Sequence, residues 1–213
     1  MIHESHNRIF IAGTDTEVGK TFVSAWLCNQ LKAEYWKPIQ TGSINGTDSE
    51  LIREVGGINT HRESYCYKAP VSPHLAAQIE NEEISLESIL VPSNKCLITE
   101  GAGGVLTPIN SKYLMIDLIK QLSMPVILVA RTTLGTINHT LLSLEAFRAR
   151  NVKVLGIIMN GTANADNRSA IEHYGRIKVL AEMPMIGSLT APRLQRLELP
   201  ILLKQTVENL HDC

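Results

Sequence analysis

The feature that most constrains the fold is a series of short, nearly continuous apolar runs separated by longer segments with helical spacing. Runs of this kind, rich in Val, Ile and Leu, are typical of parallel strands covered on both faces. Their alternation with helices predicts an α/β fold, a three-layer sandwich in which a mostly parallel sheet carries helices on both faces. The predicted strands span residues 8–13, 34–39, 95–101, 125–130, 152–161 and 183–187.

The segments between these strands place their apolar residues on one side of a helix. Asn138 stands where it can cap the start of one of them. No repeat, low-complexity tract or linker interrupts the pattern, so residues 1–213 are predicted to form a single domain. The predicted helices span residues 21–34, 85–90, 138–151 and 167–183.

Composition argues against several classes of partner. Charged residues make up 19% of the chain and the net charge is -1, so no basic excess favours nucleic acid or anionic lipid. The polar start, and the lack of any run near the ~20 apolar residues of a membrane span, predict a cytoplasmic protein with no membrane partner. The four scattered cysteines predict reduced thiols.

The sequence IAGTDTEVGKTF, residues 11–22, ends like a phosphate-binding loop but is one residue longer. The common pattern has four residues between its first glycine and its Gly-Lys-Ser/Thr end, whereas five separate Gly13 from Gly19. A predicted strand before the loop and a predicted helix after it provide backbone N–H groups and a helix N-terminus for an anion. Lys20 would reach the outer phosphates, and Thr21 would hold Mg2+. We therefore predict an ATP site of the phosphate-loop NTPase type, the alternative being a tight glycine turn beside a solvated lysine.

Charged residues near the ends of other predicted strands fall on the same edge of the sheet, where ligands of α/β folds bind. Glu100 ends a buried strand and can bind Mg2+, or it opens an ordinary glycine-rich turn. Lys37 is held extended by the following proline and faces the ligand edge, although a lone lysine is often solvated. Asp48 is either a helix cap or a metal ligand.

Three further polar residues stay open between a functional and a structural role. Asn160 can hydrogen-bond an adenine edge, or it can turn the chain. His74 and His139 have no partner visible in the sequence, and core packing or capping is the default role for both.

Seven segments together make the chain resemble the dethiobiotin synthetase family, and they occur in family order over residues 13–161. They are GTDTEVGKT, KPIQTG, DSELI, APVSPHLAA, EGAGG, PVILVARTTLGTINHT and MNG. The long first loop is itself part of that family's pattern. The resemblance implies a Mg2+- and ATP-dependent cyclo-ligase of biotin biosynthesis that joins CO2 to the two amines of 7,8-diaminononanoate. The implied path runs through a carbamate and a carbamic–phosphoric anhydride to the ureido ring of dethiobiotin.

The resemblance also implies roles for individual residues. Lys37 and Lys20 are the implied catalytic cations, and Thr21, Asp48 and Glu100 would surround Mg2+. The implied ATP-binding residues are Thr16, Glu17, Val18, Gly19, Lys20, Thr21, Phe22, Asp48, Glu100, Gly101, Ala102, Gly103 and Asn160. The family works as a homodimer with active sites near the interface. The implied substrate-binding residues are Thr41 and, from the partner chain, Leu134, Gly135, Thr136, Ile137 and Asn138.

Three other interpretations share the phosphate loop. Partition and septum-positioning ATPases carry an extra lysine five residues before the loop lysine, but that position here is Asp15. Amide-forming ligases of the cobyrinate synthase group add a glutaminase domain with a catalytic cysteine, for which this chain has no room. A nucleotide-binding module without turnover is disfavoured because the charged residues around the predicted site are intact.

Overall fold

The computed structural model describes residues 8–184 and 190–212, and a seven-stranded sheet forms its centre. The strands are β1 (Arg8–Gly13), β2 (Glu34–Trp36), β3 (Ile39–Gln40), β4 (Thr60–His61), β5 (Tyr65–Cys66), β6 (Leu97–Glu100), β7 (Val126–Arg131), β8 (Val154–Asn160) and β9 (Val179–Met183). The large sheet has the order β4-β2-β6-β1-β7-β8-β9, and every neighbouring pair in it is parallel. β3 and β5 form a separate parallel pair.

Eight α-helices lie in the described part of the chain. They are α1 (Lys20–Leu31), α2 (Asp48–Gly56), α3 (Pro73–Ile79), α4 (Met115–Leu122), α5 (Thr136–Ala149), α6 (Ala165–Gly175), α7 (Ala191–Arg196) and α8 (Ile201–Glu208). Single 3-10 turns occur at Ser43–Asn45, Leu86–Ser88 and Asn209–Asp212. Within residues 8–184 and 190–212, none of these helices combines the length and apolarity needed to cross a bilayer.

Two hydrophobic cores cover the two faces of the sheet, as the three-layer prediction requires. Successive side chains of a strand point to opposite faces, and β1 shows this alternation. Ile9 and Ile11 pack into the core that contains α1, α2, α7 and α8. Phe10 and Ala12 pack into the core that contains α3, α4, α5 and α6. The predicted α/β fold class is therefore confirmed, and the strands predicted at 8–13, 95–101, 125–130 and 152–161 are present as β1, β6, β7 and β8.

The single strand predicted at 34–39 is wrong, because the chain leaves the large sheet after Trp36 and enters the small one at Ile39. Pro38 lies at the break, where it has no N–H to donate to a ladder. Its carbonyl instead accepts hydrogen bonds from the backbone N–H groups of Ser64 and Tyr65, at 2.9 and 3.0 Å. Lys37 is thereby placed between the two sheets.

The helix predicted at 167–183 is also wrong in its second half. α6 ends at Gly175, Arg176 follows in the left-handed region with φ 47°, and the next apolar run pairs with β8 as β9. That run suits a helix or a strand by spacing alone, and sheet pairing decides between them. Of the strand predicted at 183–187, Met183 ends β9, whereas 185–187 lie outside the described residues.

Two smaller expectations about helices need correction. The segment 85–90 holds only a 3-10 turn at Leu86–Ser88. α5 begins at Thr136 with Gly135 as its N-cap, in the left-handed region at φ 93°, so Asn138 lies within the first turn and is not the cap. Glycine adopts this conformation without steric cost, which explains why the helix begins there.

Candidate active site

The long loop between β1 and α1 forms a turn that closes onto the end of β8. Thr16 and Glu17 are exposed at its tip, and Val18 returns to the core with 1% exposure, so the extra length projects outward. Gly19 has φ 97°, and a side chain there would clash with the Asn160 amide nitrogen. Asn160 Nδ2 in turn donates to the Val18 carbonyl at 3.0 Å. The loop therefore requires glycine at position 19.

Lys20 is buried at the start of α1, with 6% of its surface exposed. Its Nζ donates to the carbonyl oxygen of Asp15 at 2.9 Å, across the loop. Burial lowers the pKa of Lys20 to about 8, although the carboxylate of Glu100 partly opposes this shift. A cation satisfied mainly by a backbone carbonyl can bind an anionic ligand strongly.

The carboxylate of Glu100 is 1% exposed and sits at the carboxyl end of β6. Its Oε1 accepts a hydrogen bond from the Thr21 hydroxyl at 3.0 Å and lies 3.5 Å from Lys37 Nζ. Its Oε2 accepts from the Tyr35 hydroxyl at 3.0 Å. The two oxygens are therefore distinguished, because one faces the predicted site residues and the other is held by a buried tyrosine.

Lys37 completes this cluster from the break between the two sheets. It is 6% exposed, and its Nζ forms an ion pair with Asp48 Oδ2 as well as approaching Glu100. Burial alone would lower the pKa of Lys37, but the carboxylates of Glu100 and Asp48 outweigh it and raise that pKa above its ordinary value. Lys37 therefore carries a fixed positive charge at the carboxyl ends of the strands.

Asp48 is placed by the start of α2 but does not cap it. The N-cap is Thr47, whose hydroxyl accepts from Glu50 N while the Glu50 carboxylate accepts from Thr47 N. The capping alternative for Asp48 is therefore wrong. Its backbone N–H donates to Gln40 Oε1 at 3.2 Å, and its carboxylate is left to pair with Lys37.

A cavity of about 460 Å³ opens beside this cluster, and it brings Thr41 together with the phosphate loop. Ala102 and Gly103 also line it, whereas Gly101 packs inward, where a side chain would meet the Phe10 ring at 3.0 Å. Its complete described lining is Asp15, Thr16, Glu17, Thr41, Pro70, Val71, Ser72, Pro73, Ala102, Gly103, Gly104 and Thr107.

Several lining residues were missed from the sequence. Pro70 to Pro73 belong to the quoted segment APVSPHLAA, which carried the family resemblance but received no role. Thr107 holds the adjacent turn, since its hydroxyl accepts from Gly104 N at 2.8 Å. Phe22, a predicted ATP-binding residue, is half-buried against the core that contains α1.

The segment 134–138 does not line the Thr41 cavity of its own chain. Leu134 is completely exposed at 104%, and the Thr136 hydroxyl donates to the Arg131 carbonyl at 2.5 Å. The Arg131 side chain reaches the phosphate loop instead, where Nη2 donates to Asp15 Oδ2 at 3.0 Å and to the Thr16 carbonyl at 2.9 Å. This contact had no sequence signal beyond the position of Arg131 at the end of β7.

Known proteins resemble this chain over most of its length. A family described as "AAA domain" matches residues 7–193. The chain is 50% identical over 198 residues to "ATP-dependent dethiobiotin synthetase BioD" of Lawsonia intracellularis, covering 93% of this chain and 98% of that protein. It is 49% identical over 194 residues to a protein of the same name from Paramagnetospirillum magneticum, covering 90% and 95%.

Solved structures extend the comparison to the fold. The ParA family ATPase from Chlorobium tepidum superposes with a TM-score of 0.61 at 12% identity, covering 97% of this chain and 98% of that chain. At such low identity, this similarity shows a shared fold only.

Proposed function

The chain belongs to the family of ATP-dependent dethiobiotin synthetases, ligases of biotin biosynthesis, and from this membership we propose that it closes the ureido ring of dethiobiotin from 7,8-diaminononanoate and CO2. One amine and CO2 give a carbamate, whose oxygen attacks the γ-phosphorus of ATP and displaces ADP. The second amine attacks the carbonyl carbon of the resulting carbamic–phosphoric anhydride. Phosphate leaves, and the ring is closed.

The observation that supports this proposal is the convergence of Thr21 and Lys37 on Glu100, with Asp48 paired to the same lysine. Phosphoryl transfer depends on positioning and charge neutralisation more than on a covalent nucleophile. Lys37 is the proposed catalytic cation, because its fixed charge would stabilise both the carbamate and the transferring phosphoryl group. Lys20 is proposed to bind the outer phosphates from the other side of the loop.

The oxygen donors of the cluster fit Mg2+, which prefers carboxylate and hydroxyl oxygens. Thr21 Oγ1 already lies within hydrogen-bond distance of the Glu100 carboxylate, and the Asp48 carboxylate shares Lys37 with it. These three residues are proposed to hold the ion. When bound, it would supply neutralising charge to the phosphates. Lys37 would then keep the two carboxylates together by pairing with both.

The Thr41 cavity is the proposed site for the diamine. Asp15 and Glu17 line it, the Asp15 carboxylate being paired with Arg131, and its described lining includes no lysine or arginine. A molecule with two ammonium groups suits such a cavity, because Glu17 adds a negative charge while Arg131 is balanced by Asp15. The remaining predicted ATP contacts, Asn160 among them, are proposed to line the nucleotide from the phosphate loop to the end of β8.

We also propose a cytoplasmic homodimer of single-domain chains, with residues 134–138 reaching the substrate carboxylate in the partner's site. Support comes from the complete exposure of Leu134, an apolar side chain that a dimer contact would cover. Sedimentation equilibrium should give twice the chain mass, and Leu134→Asp should shift the protein toward monomers. A monomeric wild-type protein with full activity would contradict the shared site.

Phosphate release tests the reaction directly. Purified protein with MgATP and bicarbonate should release phosphate only when 7,8-diaminononanoate is present, and mass spectrometry should detect the cyclic urea. Omitting bicarbonate should abolish both signals. Release that ignores the diamine, or that depends on DNA or lipid, would overturn the proposed ligase reaction.

A further inference from the structure

Ser72 precedes α3 but does not cap it. A serine at this position normally accepts a hydrogen bond from a backbone N–H of the first helical turn. The Ser72 hydroxyl makes no such bond here. The backbone N–H of His74 donates instead to the Pro108 carbonyl at 3.3 Å. Ser72 Oγ lies 3.0 Å from His74 Nδ1. The hydroxyl therefore bonds to an imidazole and does not cap the helix.

The Ser72–His74 pair connects two cavities. Ser72 lines the proposed diamine cavity together with Thr41. His74 lines a second cavity of about 280 Å³ together with Glu82 and Glu83. A proton that moves from Ser72 to His74 would thus pass from the diamine cavity to the second cavity.

The proposed reaction needs such a transfer. Alkyl amines have pKa values near that of lysine, about 10.4, so at neutral pH the diamine arrives mainly as ammonium ions. An ammonium nitrogen has no lone pair with which to attack CO2. Conversion of one ammonium group and CO2 into a carbamate anion releases two protons, which must leave the cavity.

We propose that Ser72 and His74 form the relay that takes these protons from the bound diamine, a role that rests on the proposed function. The ammonium group gives a proton to Ser72 Oγ while the Ser72 hydroxyl proton passes to His74 Nδ1. The nitrogen lone pair then bonds to the carbon of CO2, and one C–O π pair moves onto oxygen. The relay requires His74 to hold its resting proton on Nε2 and to release it to solvent in the second cavity, and the imidazole must return to that tautomer before the second proton follows the same route.

The charges that face the pair suit this direction of transfer. Glu17 and Asp15 line the diamine cavity from the phosphate loop, where Asp15 is paired with Arg131, and Glu82 and Glu83 line the second cavity from the segment after α3. Among the described residues, no lysine or arginine lines either cavity. Imidazole is the side chain that takes up and releases protons near neutral pH.

His74→Asn separates proton transfer from positioning, because the asparagine side chain can hydrogen-bond Ser72 but cannot take up its proton. At about pH 7 the variant's kcat/KM for the diamine should fall about 100-fold. The deficit should shrink as pH rises toward about 9, where more diamine carries a neutral amine. Ser72→Ala should behave alike, and Ser72→Thr, which keeps the hydroxyl, should recover most of the activity. ADP affinity should not change in any of them.

His173→Asn is the matched control, since His173 is exposed on α6 and contacts only the edge of the Tyr174 ring among the described contacts. An His74→Asn rate equal to wild type, or a deficit that is the same at every pH, would overturn the relay. Failure of the wild-type protein to form the cyclic urea would instead overturn the proposed function. If the wild-type protein makes the product and the His74→Asn and Ser72→Ala variants are unaffected, only the relay is overturned.

Discussion

Two lysines at the carboxyl edge of the sheet are equally buried, at 6% exposure each, but their pKa values move in opposite directions. Burial dominates at Lys20 and lowers its pKa to about 8. At Lys37, Glu100 and Asp48 outweigh burial and raise the pKa. The difference shows that partners, rather than depth, decide whether a buried lysine keeps its proton.

The comparison also assigns different duties to the two residues. Lys37 is neutralised within the protein, so it can order two carboxylates before any ligand arrives. Lys20 donates to a backbone carbonyl, and the carboxylates of Glu100, Asp48 and Asp15 compensate its charge only in part. A phosphate group would supply the missing partner at Lys20, whereas at Lys37 it would have to share the lysine with Asp48 and Glu100.

The largest effect should come from Lys37→Ala. Removal of the cation should lower kcat about 10³-fold, since the transferring phosphoryl group loses its stabilising charge. The variant also leaves the buried Glu100 and the partly exposed Asp48 without their common partner, which should reduce the free energy of unfolding by about 3 kcal/mol. Turnover and urea denaturation would measure the two effects.

Lys204→Ala provides the control for that experiment. Lys204 is exposed and pairs only loosely with Glu208, at 4.0 Å. Its removal should change stability by less than about 1 kcal/mol and leave turnover intact. Equal losses in the two variants would show that Lys37 is no more than a surface charge.

Lys20→Met should give the next largest effect, about 100-fold in kcat/KM for ATP, because a phosphate contact is lost. The substitution also tests the sign of the pKa shift. Since Lys20 titrates near pH 8 when folded and at 10.5 in the reference state, the unfolded chain binds more protons between these values. Wild-type stability should therefore rise relative to Lys20→Met over that interval, by up to about 3 kcal/mol.

Denaturation of both proteins at intervals across that pH range would reveal the effect. Below the folded pKa both states of the wild type are protonated, so the difference between the two proteins should be flat there. A difference that instead falls as the pH rises would mean that Lys20 gains a proton-stabilising partner on folding.

Tyr35→Phe should have a smaller and more selective effect. It removes the hydrogen bond that fixes Glu100 Oε2 while keeping the buried ring. We expect about a tenfold rise in the Mg2+ concentration needed for half-maximal ADP binding, because an outer partner of a metal ligand is lost. Tyr67→Phe removes a comparable hydrogen bond to Glu82, at 3.1 Å, and should leave this value unchanged. Similar shifts in both variants would refute a specific role for Tyr35.

Arg131→Ala should give the smallest effect. Arg131 is 45% exposed and ties the phosphate loop to the end of β7 through Asp15 and Thr16. Loss of an exposed pair costs about 0.2–1 kcal/mol, so the KM for ATP should rise no more than about fivefold with kcat unchanged. Steady-state kinetics would show this, and a large fall in kcat would place Arg131 in the chemistry.

The sequence predicted best the strands that are buried on both faces, since their apolar runs are short, rich in β-branched residues and bounded by turn residues. β9 was missed because an edge segment such as VLAEM suits a helix by spacing, and only pairing with β8 shows that it is a strand. The position of the phosphate loop between β1 and α1 was predicted equally well, because the spacing of its glycines indicates where the backbone turns.

The contacts inside the site were harder to predict. Lys37 meets Asp48 only because the chain turns through β3 and a 3-10 segment between them. Tyr35 did have a signal, since residues two apart on an extended chain share a face, and Tyr35 stands two positions before Lys37. Arg131 had none, because nothing local says which loop a strand-end arginine will reach.

The break between β2 and β3 places the five residues from Lys37 to Thr41 between two parts of the site. Lys37 pairs with Glu100 and Thr41 lines the cavity beside it, and a fully extended chain of four steps spans at most about 14 Å. Gln40 fixes the far end of this length, since its amide accepts from Asp48 N and donates to the Thr41 carbonyl. One added or deleted residue in KPIQT should therefore change the distance between Lys37 and Thr41.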